Sequence, residues 1–501
     1  MTNVMRGESV AKNTVINLVG QILPLLVGIV TIPMLIKGLG TERFGVLTLA
    51  WMVIGYFSLF DLGLGRALTH IIAQRLGKEE ARELPGLVWT ALVIMAVMGV
   101  IGGGIAGALS PYLIAKVFKM PDQLRPETLQ AFYILSASIP IVVISSGCVG
   151  ILTAYQRFDL INAVRAPLGL TNFIVPLLVL PFSTSLVPIT LLLAVSRLVS
   201  CVAQYWLCAR VMPSLRMKKR FIPGAVKPLF GFGGWMTVSN IIGPLMVYLD
   251  RFVIGAVISV TAVAYYATPY EMVTKLWIIS GALVTSLFPA FAASNKSDAG
   301  RTVQLISKSI AAIFILIFPI VLIIVTFSQE GLMLWLGKDF ANNSATVLQW
   351  LAAGVFINCL AQVIYTLIQG QGRPDLTAKI HLLELAFYLP LLWWILKQYG
   401  IVGAAIAWTL RVVVDAILLM WVAHRMNPLV HKLVVKLTGY AFMASLALAL
   451  CAYPDSLAIR SILFACISLC LLAFSVPYLR RNRLLGLKSP GTVRVEATHS
   501  P

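Results

Sequence analysis

The residues of this chain whose types and positions could do chemistry are charged side chains set inside long apolar runs. Arg197, Glu271, Lys275, Arg411 and Asp415 fall near the middles of such runs, and Asp61, Arg66, Asp250, Arg251 and Glu384 nearer their ends. A charge at the centre of a lipid-crossing helix costs about 3 kcal/mol on insertion scales, so residues of this kind usually face a bundle interior or a water-filled cavity. Five central charges therefore point to a polar cavity. Glu271 with Lys275 and Arg411 with Asp415 are each four apart, a spacing that lets either pair neutralise itself on one helix face. Arg197 has no carboxylate within a turn. It is the residue most in need of an external anion, either an acid from another helix or a substrate phosphate. The end-placed charges can snorkel to the membrane interface. Trp277 and Trp408, close in sequence to Lys275 and Arg411, could offer flat faces to sugar rings, although lipid-facing tryptophan is the commoner arrangement.

Other chemistries lack their residues. The seven cysteines lie in or beside apolar runs without metal-ligand spacing, and Cys466 with Cys470 shares only a helical face, where thiols act as small hydrophobes. The five histidines are scattered with no paired-ligand pattern, so neither a metal site nor a cofactor is expected. There is no G-x-x-x-x-G-K-[ST] phosphate loop and no nucleophile elbow. Between apolar runs the loops are of order 15 residues, too short for a catalytic domain. An enzyme is not expected, and whatever the chain does is done by its helices.

Those helices fill nearly the whole chain. Of 501 residues, 59% are apolar and 12% charged, against roughly 25% charged in soluble domains. A span needs about 20 apolar residues to cross a hydrocarbon core about 30 Å thick. Such runs are expected near 14–36, 44–64, 86–108, 128–152, 166–182, 186–209, 229–249, 262–292, 303–327, 344–369, 378–397, 401–423, 434–453 and 457–479. The fold class is thus an all-α integral membrane protein of about fourteen spans. Continuous apolar character excludes a barrel, whose strands alternate lipid-facing and lumen-facing residues. The first run is too long for a signal-peptide core and lacks a small-x-small cleavage site, so it reads as a retained span.

A net charge of +20 invites a nucleic-acid reading, but the charges sit where topology puts them. With a cytoplasmic N-terminus, about 27 of the 39 Lys and Arg fall in cytoplasmic loops and about 8 outside, the positive-inside bias. The clusters at 216–220 and 480–483 fall at cytoplasmic helix ends, where they can meet anionic lipid headgroups. No nucleic-acid partner is expected.

The chain also resembles itself. Arg157-Phe158-Asp159-Leu160 and Arg373-Pro374-Asp375-Leu376 stand 216 residues apart, while Pro24 and Pro244, like Thr41 and Thr261, stand 220 apart. Two six-helix lobes follow, inserted the same way round because six is even. The expected division is a cytoplasmic N-terminus at 1–13, an N-lobe at 14–211, a basic linker at 212–228, a C-lobe at 229–425, two further spans at 426–480 and a cytoplasmic tail at 481–501. Prolines at 24, 33, 140, 244, 269, 319 and 390 fall inside spans and favour kinks. Gly99, Gly103 and Gly107, four apart, allow a close helix approach.

Several segments carry a family resemblance. Asn17 to Gly20, Ile36 to Val46 and Phe60 to Gly65 resemble the opening of the Wzx-type polysaccharide flippases. Tyr155 to Asn162, Tyr248 to Gly255, Gln369 to Pro374 and Tyr399 to Ala405 are similar to later segments of that family. The resemblance runs from about residue 10 to 425. It implies the fold of multidrug and toxic-compound extrusion (MATE) transporters and of the lipid II flippase. It also implies an undecaprenyl-pyrophosphate-linked oligosaccharide, an O-antigen or exopolysaccharide unit, turned across the bacterial inner membrane by alternating access, with polysaccharide polymerases and other synthesis proteins as candidate partners. Arg197, Arg251, Lys275 and Arg411 are then the candidate anion contacts, and Asp61, Glu271 and Asp415 the candidate proton or cation coupling groups. A cation-coupled multidrug antiporter and a non-transporting scaffold of polysaccharide synthesis are the alternatives. The antiporter should line its cavity with acids, and the scaffold needs no polar cavity.

Overall fold

The structure is a computed structural model describing residues 7–56, 61, 63–77, 84–217, 222–225, 246, 248–292, 299–426 and 431–482. Most of the span expected at 229–249, with Pro244, lies outside the described residues, as do residues 218–220 of the first basic cluster and Arg483 of the second.

No strand occurs among the described residues. The helices are α1 (Gly7–Leu39), α2 (Thr41–Tyr56), α3 (Leu64–Gly77), α4 (Leu84–Tyr112), α5 (Arg125–Ala154), α6 (Phe158–Val179), α7 (Leu186–Val211) and the single turn α8 (Ser214–Met217). After them come α9 (248–257), α10 (Val260–Thr274), α11 (Trp277–Ala292), α12 (Ala299–Thr326), α13 (Ser328–Leu336), α14 (Lys338–Gly370), α15 (Pro374–Met426), α16 (His431–Ala452) and α17 (Leu457–Asn482). Seven stretches among the described residues are long and apolar enough to cross a membrane, from Leu84–Val117 to Asp375–Met426, and three shorter apolar helices accompany them. Large apolar side chains point outward, Val30 64% and Val100 62% exposed among them. So much exposed apolar surface suits lipid rather than water.

Backbone chemistry sets the helix limits. Ser185 and Ser259 cap α7 and α10 by accepting the N–H of Val187 (3.3 Å) and Ala262 (3.0 Å). Gly400, at φ 60° and ψ −146°, breaks α15 into two antiparallel halves. Lys275 and Leu276 interrupt α10 and α11, so the long eighth run is two helices rather than one. The second run is likewise divided, α2 ending at Tyr56 and α3 starting at Leu64. Thr41 and Thr261 both stand in the first turn of the paired helices α2 and α10.

The repeat is plainest in the turns after α5 and α14. Gln156 (φ 56°) and Gly372 (φ 78°) both take the left-handed conformation. In each turn the next N–H bonds back five residues, Arg157 to the Leu152 carbonyl (2.9 Å) and Arg373 to the Ile368 carbonyl (3.2 Å), the Schellman closure. Each arginine then grips the aspartate two residues on through two hydrogen bonds, at 2.9 and 2.8 Å and at 3.0 and 3.2 Å. Those bonds hold both guanidinium groups above their ordinary pKa.

Packing gives two lobes. Within the first, α4 lies along α5, and a side chain added at Gly99 or Gly103 would meet the backbone of Pro140 or Ser136 within 2.7 Å, so these glycines do admit a close approach. In the second, α14 packs against α10, α11, α12 and both halves of α15, while α16 and α17 dock on α12. Arg460 of α17 fixes that attachment by donating to the Thr326 carbonyl (2.9 Å) and to Glu330 (2.6 Å).

The lobes meet along α2 and α10. At the α2–α10 start, Gly45 sits so close to the Val260 carbonyl that an added Cβ would lie 2.0 Å from its oxygen. Beside it the Lys119 N–H donates to the Gly255 carbonyl and the Val260 N–H to the Lys119 carbonyl, each at 3.0 Å. The Lys119 ammonium adds a bond to the Val257 carbonyl at 2.6 Å. One end of the seam is thereby closed by backbone pairing.

Candidate functional site

Beyond that seam the lobes part around a cavity of about 300 Å³, walled among the described residues by α1, α2, α6 and α7 on one side and by α10 and α13 on the other. Arg197, Glu271 and Lys275 all line it. Three of the seven site residues expected from sequence are thus brought together across the lobe boundary.

Arg197 projects from α7 and is only 6% exposed. Its guanidinium donates to the Leu193 carbonyl one turn back (3.0 Å) and weakly to Oδ1 of Asn172 on α6 (3.4 Å). Both acceptors are neutral, and among the described ion pairs none includes Arg197. A buried cation without an anion is costly unless a ligand supplies one. The aromatic rings of Trp51 and Phe173 complete this wall, packed edge to face at 5.5 Å.

The opposite wall carries both signs. Lys275 ends α10 and reaches back one turn to Glu271 (3.2 Å), the pairing its spacing allowed. Glu271 also takes the guanidinium of Arg251 at 2.9 Å. That guanidinium lies deep in the C-lobe, 4.7 Å from the Tyr270 ring centroid. Arg251 therefore stands behind the cavity wall and acts on the cavity through Glu271. Next to it Asp250, fully buried, accepts the Tyr266 hydroxyl (2.5 Å) and the Arg251 N–H (2.7 Å).

Arg411 and Asp415 lie farther back in the same lobe. Arg411 sits 5.6 Å from the Tyr388 ring and 5.9 Å from the Trp408 ring. Despite the four-residue spacing, no described ion pair joins Arg411 to Asp415. The nearest basic group to Asp415 is His381, at 3.7 Å. The histidines are accordingly less scattered than their sequence positions suggest, for His381 meets Glu384 and Asp415 across the Gly400 turn. Asp61 is also away from the cavity. Its carboxylate accepts the Gly63 N–H (2.6 Å) and the Ser146 hydroxyl, joining the α2–α3 break to α5.

Neither tryptophan named from sequence lines the cavity. Trp408 is 1% exposed, packed against Tyr270 at 5.6 Å, and no sugar can reach it. Trp277 packs edge-on against the same tyrosine. The cavity aromatics are Phe44, Trp51, Phe173 and Trp335, the last donating to the Ile29 carbonyl at 2.7 Å. Nothing local in the sequence marks them, because an aromatic facing lipid and one facing a cavity have the same neighbours.

Residues 10–295 match the family described as polysaccharide biosynthesis protein. A Shigella flexneri protein named "Putative O-antigen transporter" is 32% identical over 419 residues, 83% of this chain and 98% of its own length. A Haloferax volcanii protein named "Probable low-salt glycan biosynthesis flippase Agl15" is 27% identical over 49% of this chain and 51% of its own. Among solved structures, an inward-facing multidrug resistance MATE family transporter superposes with a TM-score of 0.68 at 16% identity, covering 82% of this chain and 96% of its own. The lipid II flippase MurJ in an inward closed conformation gives 0.67 at 12% identity, covering 94% and 99%. At these identities the two structures are alike in fold.

Proposed function

The chain belongs to the polysaccharide biosynthesis protein family, and from that premise we propose that it flips undecaprenyl-pyrophosphate-linked oligosaccharide units across the bacterial inner membrane by alternating access. It is a multi-pass membrane transporter and not an enzyme. The observation that carries the finer reading is Arg197, a buried guanidinium facing an inter-lobe cavity with only neutral acceptors. A pyrophosphate must cross a medium that strongly disfavours charge, and a fixed cation in the path lowers that barrier. Lys275 contributes a second positive charge on the far wall, while Arg251 and Arg411 support it from behind. Glu271 and Asp415 are the proposed coupling groups, and Asp61 acts by holding the α2–α3 break.

With the termini cytoplasmic, the closed seam at Lys119 and Val260 faces the periplasm, and substrate enters from the cytoplasmic leaflet. The cavity walls also weigh against a drug antiporter. Among the described residues they offer Arg197 and Lys275 against the one carboxylate of Glu271, an arrangement that repels cationic drugs. A polymerase acting on the exported unit is the expected partner.

Deleting the gene in its host and complementing it tests this reading. Surface polymer should be lost, with lipid-linked units trapped on the cytoplasmic face, and should return with the wild type but not with Arg197→Ala. Unchanged polymer together with new sensitivity to cationic drugs would replace the flippase with an antiporter.

A further inference from the structure

Behind the cavity wall the C-lobe holds a second cluster of ionisable groups. His381 and Glu384 stand on the first half of α15 and Asp415 on the second, with one ligand atom from each within 4.8 Å of the others. Glu384 is 5% exposed, and neither of its carboxylate oxygens has a hydrogen-bond donor. Oδ1 of Asp415, a residue 8% exposed, has none either. Two buried carboxylates facing each other with three of their four oxygens lacking a donor are not a stable resting arrangement, because each is under-compensated and each repels the other.

Charge balance says what the cluster needs. Arg411 acts electrostatically on Glu384, on His381 and on Asp250. Asp250 adjoins Arg251, which holds Glu271, which holds Lys275. Along this chain four carboxylates (Asp250, Glu271, Glu384 and Asp415) meet three fixed cations (Arg251, Lys275 and Arg411). Among these seven groups the negative charges exceed the positive by one. A divalent ion would overshoot, and a bare monovalent ion needs a shell of oxygens where the cluster supplies two carboxylates and an imidazole beside a guanidinium. A proton needs only two facing carboxylates, which hold it as a shared pair.

We propose that Glu384 and Asp415 share one exchangeable proton, and that His381 passes it to and from water. His381 suits that part because its side chain is 28% exposed whereas that of Asp415 is 11%. The other groups facing the cluster are Tyr388 on α15, Arg411, Tyr365 on α14 (stacked on His381 at 5.8 Å), Tyr270 on α10 and Asp250 on α9. Arg66 of α3 in the opposite lobe also acts on Tyr365. Loading the proton completes the balance, and losing it leaves a net negative charge that Arg411 relays toward the Arg251–Glu271 pair at the cavity. The use of this proton in driving transport rests on the flippase reading; the proton site does not.

Infrared difference spectroscopy on the purified full chain in lipid nanodiscs, between acid and alkaline pH, tests the site. The wild type should show a buried carboxylic acid carbonyl band that vanishes on alkalinisation, is unmoved by added sodium at fixed pH, and is missing from Glu384→Gln and Asp415→Asn. A band retained in both variants, no band at any pH, or a band that sodium removes would overturn the proposal. Should a variant fail to fold, wild-type protein treated with dicyclohexylcarbodiimide, which attacks protonated carboxyl groups, should carry the adduct at Glu384 or Asp415 at acid pH only. Labelling confined to other carboxylates would be equally fatal. If the band behaves as described but lipid-linked oligosaccharide does not cross proteoliposomes under any gradient, the site stands and the flippase reading falls; if it crosses without responding to a pH gradient, only the proton's use in driving transport falls.

Discussion

The two walls of the cavity handle charge in opposite ways. On the N-lobe side, Arg197 faces the cavity with a backbone carbonyl and an amide oxygen as its partners. On the C-lobe side, Lys275 and Arg251 share the carboxylate of Glu271, so that every charge of the chain has an ion-pair partner. The difference teaches a division of labour. An uncompensated cation binds an anion, because the ligand supplies what the protein withholds. A compensated chain binds less and instead responds, since a change at one member shifts the balance at the next.

Removing the N-lobe cation should have the largest effect. Truncating one partner of a desolvated charge pair costs about 2–5 kcal/mol, so Arg197→Ala should lower flipping of a pyrophosphate-linked substrate by about a hundredfold or more. Reconstituted vesicles that report leaflet accessibility of the lipid would measure it. Arg197→Lys should recover part of the loss, because it keeps the charge without the planar fork.

Cutting the C-lobe chain should do less to binding and more to stability. Glu271→Gln leaves the guanidinium of Arg251 buried without its carboxylate and adds positive charge to the cavity. The expected result is a lower melting temperature and a flipping rate reduced about tenfold, with substrate affinity held or raised. A variant that melted as the wild type does would show that the chain on this wall is not linked as described.

Between the walls, Gly45→Val tests the seam. With 2.0 Å between the new Cβ and the Val260 oxygen, the backbones must separate. The opposite-facing state should gain population, seen as greater reactivity of a cysteine introduced at Thr268, together with slower transport. Equal reactivity would mean that the seam does not hold the lobes. Smallest of all should be Asp159→Asn or Asp375→Asn. There the lobes are alike and the exposed Arg–Asp turns are solvent-screened surface pairs that contribute little, so export should stay near wild type.

How far the sequence carried these conclusions depends on the residue. The turns at Gln156 and Gly372 were legible because the Arg-x-Asp-Leu motif repeats, and helix limits were legible where serine, glycine or charge punctuates an apolar run. The cavity position of Arg197 followed from its lack of a nearby acid. The burial of Trp408 was not legible, because in membrane helices lipid-facing and core-facing positions are both apolar and periodicity loses its meaning. The break at Lys275 was not legible, because Glu271 and Lys275, four apart, read equally well as a self-neutralising pair on one unbroken helix. The meeting of His381 with Glu384 and Asp415 depends on the two halves of α15 folding back at Gly400, a tertiary event that no local spacing encodes.

The central claim is that Arg197 meets the pyrophosphate, and direct binding tests it most simply. Purified wild type and Arg197→Gln should be titrated with undecaprenyl-pyrophosphate-linked oligosaccharide and with the same glycan on an uncharged lipid, following thermal stabilisation. The account predicts that the charged lipid stabilises the wild type far more than the neutral one, and that the variant no longer distinguishes them. Equal stabilisation of both proteins by the charged lipid would contradict it.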